Sequence, residues 1–312
     1  MIDVRRLQVL QAVIETGSVA AAASLLNYTP SAVSQQMSTL ERETGVQLLE
    51  RVGRGVRPTD AALLLCEHTT RVFASIKNAE DALAALRSGQ SGRLRLGAFP
   101  SASSSIIPGA LAAFRDLHPD IVLDFMVKEP DEVIASLRDG SLDIAVATLT
   151  MMPGESSNDG LTYHHLLSDP FRIVLPRSHS FASMADIKLK TLSSEEWIGV
   201  SSCPGDCQLV VEDACELAGF QPNYVIEADE YPTALGFVAA GLGVALMPMM
   251  ALHNTGHSGV AIRRIKGDVP VRQVWAVTRS TMSDQVPLRD MLSCLADAAT
   301  QSPLDNPGDD FL

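Results

Sequence analysis

The sequence contains no Gly-x-Ser-x-Gly elbow and no phosphate-cradling P-loop. In its Gly241-Leu242-Gly243 run, Leu246 stands where a dinucleotide fingerprint needs a third glycine. His164 and His165 are adjacent in a strand-like segment, where alternation sends the rings to opposite faces, and no carboxylate follows at ligand spacing. Cys203-Pro204-Gly205-Asp206-Cys207 likewise lacks the histidines of a metal site. These absences argue against an enzyme, and neither catalytic residues, a metal nor a cofactor is expected. Bulk positive charge is missing too: the net charge of -13 excludes a protein that coats nucleic acid nonspecifically. The five cysteines are an odd number, and the opening Met1-Ile2-Asp3-Val4-Arg5-Arg6 has no apolar stretch, so a reducing cytoplasm is the expected location. Residues 234–252 run without a charge, but Gly236, Gly241, Gly243 and Pro248 punctuate them. That pattern reads as a helix, a turn and a buried strand, and no membrane contact is expected.

What is present begins with three short helices. Leu7, Leu10, Val13 and Ile14 recur at helical spacing until Thr16-Gly17-Ser18, and an Ala-rich helix follows over Val19 to Leu26. Thr29 is a good N-cap and Pro30 suits the first helical position, so a third helix runs from there to about Thr44, where Gly45 stops it. On that helix Val33, Met37, Leu40 and Thr44 form one stripe. Ser31, Ser34, Gln35 and Ser38 form a charge-free, hydrogen-bonding face. Residues 50–58 then read as a Gly-rich hairpin bearing Arg51, Arg54 and Arg57. Residues 1–58 hold six arginines against five acids, which leaves -14 for the remainder. A polar helix beside a basic wing suits a groove reader with a few flanking phosphate contacts.

From Thr59 to about Ser88 the spacing predicts one long amphipathic helix, with Leu63, Cys66, Thr70, Phe73, Ile76, Leu83 and Leu86 on its stripe. Such a stripe is buried either against a second copy or against its own domain. A polar hinge, Ser88 to Gly92, separates it from alternating strands and helices. Strands are expected at residues 93–98, 121–127, 142–148, 172–175, 197–200, 224–227, 244–247 and 271–277, which implies open, mostly parallel sheets. With 312 residues, 46% of them hydrophobic, two or three compact units are expected, and residues 301–312 read as a disordered tail.

Gly17-Ser18, the alanines through Ala23, Leu25, residues 29–36 (Thr-Pro-Ser-Ala-Val-Ser-Gln-Gln), Leu40-Glu41, Gly45, Leu48-Leu49, Arg51 and Arg57-Pro58-Thr59 together resemble the N-terminal signature of LysR-type transcriptional regulators. Residues 92–97, Ile107-Pro108, Phe114, His118-Pro119, residues 142–145 and residues 241–248 resemble the family's effector-binding half. The resemblance implies an α/β fold with an N-terminal winged helix-turn-helix (residues 1–58), a linker and dimerisation helix with its hinge (59–91), and a two-lobed effector domain similar to periplasmic binding proteins (92–300). Lobe I would hold about 92–167 and 270–300, and lobe II about 168–269. It further implies promoter DNA, a small-molecule effector, a second copy, assembly into a tetramer and RNA polymerase as partners. Ser31, Ser34 and Gln35 match the family's base-reading positions, and Arg54 and Arg57 match its wing. Pro30-Ser31 stands where many members have Gln-Pro, Leu49 where Phe is frequent, and Ala62 where Gly is frequent, departures that bear on base preference.

Ligands of two-lobed α/β proteins lie beyond the carboxyl ends of strands. Three loops meet that rule: Ser101 to Ser105 (with Ser103), Thr148, and Ser201-Ser202. Their hydroxyls either cap helices or receive a small carboxylate. Glu227, Asp229 and Glu230 are either solvated or positioned for an amino group, which together with the hydroxyls would suit an amino acid. Cys203, Cys207 and Cys215 lie where peroxide-sensing members of the family carry their redox pair, although Cys215 sits on an apolar helix face where burial is usual. A solute-binding protein with an appended helical segment is the competing reading of the same lobes.

Overall fold

The computed structural model describes residues 2–52, 55–88, 92–149, 160–200, 206–253, 258–282 and 285–301. They form two compact units, one ending at Ala84 and one beginning at Ala85.

In the first unit every helix has a local start signal. Asp3 caps α1 (Val4–Thr16), Ser18 caps α2 (Val19–Leu25), and the Thr29 hydroxyl accepts from Ala32 N at 3.2 Å to open α3 (Pro30–Thr44). Gly17 ends α1 with φ 64°, a left-handed turn that glycine adopts without a Cβ penalty. The three helices bury Leu10, Val13, Ala22, Val33 and Leu40 around one core that also takes Leu48 and Ala62. An antiparallel wing, β1 (Leu49–Val52) and β2 (Gly55–Pro58), follows with Glu50 opposite Arg57. Glu41 on α3 fixes its entry: one carboxylate oxygen accepts from Leu48 N at 2.9 Å and Leu49 N at 3.2 Å. The long helix α4 (Asp60–Ser88) begins at Thr59, whose hydroxyl donates to Gln47 O at 2.8 Å and accepts from Ala62 N at 3.3 Å. Its apolar side chains divide between the two expected roles. Ala61, Ala62, Leu65 and Phe73 pack on the helical core of their own unit, whereas Leu63, Leu64, Ile76 and Leu83 stand exposed.

The second unit runs β3 (Arg93–Ala98), α5 (Pro100–Ser105), α6 (Ile107–Leu117), β4 (Val122–Val127), α7 (Pro130–Arg138), β5 (Ile144–Thr148) and β6 (Leu161–Pro176). It continues with β7 (Asp186–Ile187), β8 (Glu196–Val200), α8 (Asp206–Leu217), β9 (Asn223–Ala228), α9 (Tyr231–Ala239) and β10 (Ala245–Pro248). It ends with α10 (Met249–Leu252), β11 (Val260–Ile265), β12 (Val271–Arg279) and α11 (Val286–Thr300). The main sheet has the order β4-β3-β5-β12-β6-β11-β7, with β10 also on β6, and β8 pairs with β9. The expectation of mostly parallel sheets is corrected here. β3 pairs in parallel with β4 and β5, but β12 is antiparallel to β5 and β6, and β10 and β11 are antiparallel to β6. The reason is β6, which runs 16 residues and serves two cores. Leu167 belongs to a first lobe with Leu96, Phe114, Val146, Val274 and Leu295, and Phe171 to a second lobe with Trp197, Cys215 and Leu246. Each of the strands that pairs with β6, namely β10, β11 and β12, runs opposite to it. Residues 101–105, expected as a loop, belong to helix α5. No described helix is long and apolar enough to cross a membrane.

Candidate functional site

Two surfaces collect the polar residues that the folds leave without a structural task. The first is the outer face of α3. Val33, Met37 and Leu40 are turned into the core, and the same helical period leaves Ser31, Ser34, Gln35 and Ser38 exposed on one side. The neighbouring Gln36 is occupied, since its side-chain oxygen accepts from Arg6 Nε at 3.1 Å, and Arg6 also pairs with Glu43. These four positions offer neutral donors and acceptors, and the exposed Arg42 continues the same face in the last turn of the helix. Arg57 stands exposed on β2 of the wing, and Arg54 lies outside the described residues.

The second surface lies where β6 and β12 pass from one lobe to the other. Asp169 and Arg272 are directly paired across these strands, and both are buried. Arg272 Nε donates to Asp169 Oδ2 at 2.8 Å, and Asp169 Oδ1 accepts from Met250 N at 3.0 Å, which ties the start of α10 to the same point. The rest of the guanidinium reaches into both lobes. Nη2 donates to Ser101 Oγ on α5 at 2.7 Å, and Nη1 lies 3.6 Å from Cys207 Sγ on α8. The Phe99 ring lies beneath it, 5.0 Å from centroid to guanidinium carbon. Burial pulls the Arg272 pKa down, but the Asp169 carboxylate, with smaller contributions from Cys207 and Tyr231, more than offsets this and holds the group charged. Thr148, 2% exposed at the carboxyl end of β5, has no partner for its hydroxyl among the described residues, and a buried hydroxyl left unpaired costs about 1–3 kcal/mol. Cys207 also borders a cleft of only about 20 Å³ lined by Gly199, Val200, Gln208, Tyr224 and Tyr231, far below the roughly 300–1,000 Å³ of ligand sites. Glu129, at the start of α7, has its carboxyl pushed up by burial, by Cys207 and by Glu132.

Of the residues expected around a ligand, Ser101 bonds Arg272, and Thr148 lies opposite Val274, two residues along β12 from Arg272. Ser103 is occupied, its hydroxyl donating to Phe99 O at 2.9 Å. Asp229 is exposed just before α9. Ser201, Ser202 and Cys203 lie outside the described residues, as does the tail from residue 302. Cys215 is fully buried, and its thiol is pushed up to about 12 by burial and by Glu212, so it is not poised as a thiolate. Arg272, Asp169 and Glu129 are the groups that sequence reasoning missed at this site, whereas Cys207 was singled out there only as a redox candidate. A lone arginine at an inward position of an apolar strand, residues 271–274, was the available signal.

Among the described residues no group of histidine, cysteine and acidic side chains is arranged to hold a metal ion. His164 and His165 face opposite sides of β6. The latter bonds Gln273 at 2.7 Å and stacks edge-on against Trp275, and burial lowers the pKa of the former.

Comparison with known proteins places both surfaces in context. Residues 4–63 match the family described as bacterial regulatory helix-turn-helix protein, lysR family, and residues 87–300 match the LysR substrate binding domain. The probable HTH-type transcriptional regulator LrrA of Synechococcus elongatus is 31% identical over 80% of this chain and 82% of its own. The HTH-type transcriptional regulator CbbR of Sinorhizobium medicae is 28% identical over 88% of this chain and 86% of its own. The crystal structure of CbnR, a LysR family transcriptional regulator, superposes with a TM-score of 0.71 at 21% identity, covering 96% of this chain and 99% of that one. Full-length CbnR complexed with its target DNA gives 0.69 at 21% identity, covering the same shares. The chain thus belongs to the LysR family: it is a DNA-binding transcription regulator with an effector-binding domain, not an enzyme.

Proposed function

We propose that this regulator reads promoter DNA with Ser31, Ser34, Gln35 and Ser38 in the major groove, while Arg54 and Arg57 contact the flanking backbone. The observation that carries this reading is the exposed polar face of α3, set opposite the buried stripe of Val33, Met37 and Leu40 and beside an arginine-bearing wing. A glutamine can bond an adenine edge bidentately and serines bond bases or phosphates, whereas wing arginines neutralise phosphates. That CbnR has been solved on its target DNA supports the same use of the fold. Residues 1–58 form the DNA-binding domain, 59–91 the linker and 92–300 the effector domain. The exposed leucines and Ile76 of α4 pair two copies, and two such dimers assemble into a tetramer that works beside RNA polymerase in the cytoplasm.

The effector is a small carboxylate or an amino acid bound between the lobes. Ser101, Thr148 and the Arg272 guanidinium supply the donors for a carboxylate, and Ser201 and Ser202, which lie outside the described residues, are the further hydroxyls assigned to it. Glu129 and Asp229 are the carboxyl groups available to an ammonium. Selection of genomic fragments by the purified protein tests the DNA reading: recovery of an interrupted palindrome whose affinity falls with salt is expected, and no enrichment over random fragments with or without amino acids would refute it. For the effector, amino acids should raise the melting midpoint more than carboxylates of the same skeleton, and the reverse order would exclude an amino acid.

A further inference from the structure

Arg272 is the described guanidinium in this unit that touches both lobes at once, and its bonds differ greatly in strength. The bonds to Asp169 and Ser101 are short, at 2.8 and 2.7 Å, and the Asp169 bond is charge-assisted, whereas the contact with the Cys207 sulfur is 3.6 Å and made to a weak acceptor. Two hydroxyls have unused capacity. Ser101 Oγ accepts from Arg272 and gives its own proton to no described acceptor, and Thr148 Oγ1 has no partner among the described residues. Thr148 lies opposite Val274, two residues along β12 from Arg272 and on the same face of the sheet. That register puts the two Cα atoms about 8 Å apart, a gap that one carboxylate accepting from both side chains would span.

Resting on the interlobe site proposed above, we infer that Arg272 is a two-lobe latch, which gives up its contact with Cys207 to take the effector's carboxylate while keeping Asp169 and Ser101. A carboxylate is a far better acceptor for Nη1 than a thiol, so the exchange favours the occupied state. Asp169 anchors the guanidinium at the crossing of β6, β12 and α10, so the part that yields is α8, which carries Cys207 and belongs to the second lobe. Occupancy is thereby converted into a displacement of one lobe against the other, and Cys207 reports it.

The test uses the full chain and acetate, which carries the one group that Arg272 is inferred to read. Alkylation of each cysteine by iodoacetamide is followed by mass spectrometry, alongside the melting midpoint, in about 0.2 M sodium acetate or sodium chloride of equal ionic strength. Acetate should raise the midpoint and speed alkylation of Cys207 about threefold, with Cys215 unchanged as the control for general loosening. R272K, which keeps the charge but loses the fork, should abolish the acceleration, and its own midpoint in chloride shows whether it folds. A raised midpoint with Cys207 labelling unchanged or slowed would overturn the latch and leave the site standing. A midpoint that acetate does not move in the wild type would overturn the carboxylate reading as well, and an acetate response undiminished in S101A and T148V would place the anion elsewhere.

Discussion

Replacing Asp169 by asparagine keeps the shape of the side chain and removes the charge that neutralises Arg272. Asp169 is fully buried and Arg272 is 5% exposed, so water cannot take over the solvation of the guanidinium. Removing one partner of a buried ion pair costs about 3–5 kcal/mol, whereas exchanging both for apolar side chains of similar volume is close to neutral. In a unit of this size each kcal/mol lowers the midpoint by roughly 2–4 °C, so Asp169→Asn should lower it by about 6–20 °C. The double variant D169L/R272M should recover most of that loss. Urea titrations monitored by tryptophan fluorescence are suited to the measurement, because Trp197 and Trp275 both lie in the second unit and none lies in the first. A loss below about 1 kcal/mol for Asp169→Asn, or a double variant less stable than the single one, would show that the pair is not the buried, desolvated contact described here.

Three further outcomes follow from single side chains. A Cβ on Gly243 would lie 2.7 Å from the backbone oxygen of Glu196, which cannot swing away, so Gly243→Ala should destabilise the second unit by about 1–3 kcal/mol in the same titration; a neutral result would contradict that close approach. Glu41→Ala removes the acceptor of two wing amides and should lower the stability of the first unit by about 1–3 kcal/mol, measured by circular dichroism on residues 1–88. Glu129 has a pKa raised in the folded state, so its contribution is favourable below its unfolded pKa and is lost as pH rises through the folded one. Glu129→Gln should therefore gain stability relative to the wild type on going from about pH 4 to pH 7, and a difference that does not vary with pH would refute the shift.

Much of the fold was legible because local signals agreed with tertiary ones. Thr29-Pro30 and Gly45 bound α3 where caps and stops dictate, and β3 matches its alternating Leu94, Leu96 and Ala98. The two-core strand β6 was legible only at its apolar end. Tyr163-His164-His165 and Ser168-Asp169-Pro170 break the hydrophobic pattern where the strand crosses between lobes, and those same residues place Asp169. Strand direction was misjudged because alternation of strands and helices says nothing about a later strand, here β12, returning antiparallel between two earlier ones. Ser101 and Thr148 were picked out in the sequence from their positions after strands. Arg272 was readable only as a lone charge on an apolar strand, and its partners, separated from it by 171, 103 and 65 residues, were not.

The central claim, that the exposed face of α3 reads bases while the wing holds phosphate, is tested most directly by the affinity of the selected duplex across a salt series. Wild type is compared with Gln35→Ala and Arg57→Ala. Gln35→Ala should lose about 1–3 kcal/mol of discrimination between the selected and a scrambled duplex with its salt slope intact, while Arg57→Ala should keep discrimination and reduce the slope by about one. Equal loss of discrimination and slope in both variants, or an unchanged preference in Gln35→Ala, would contradict the account.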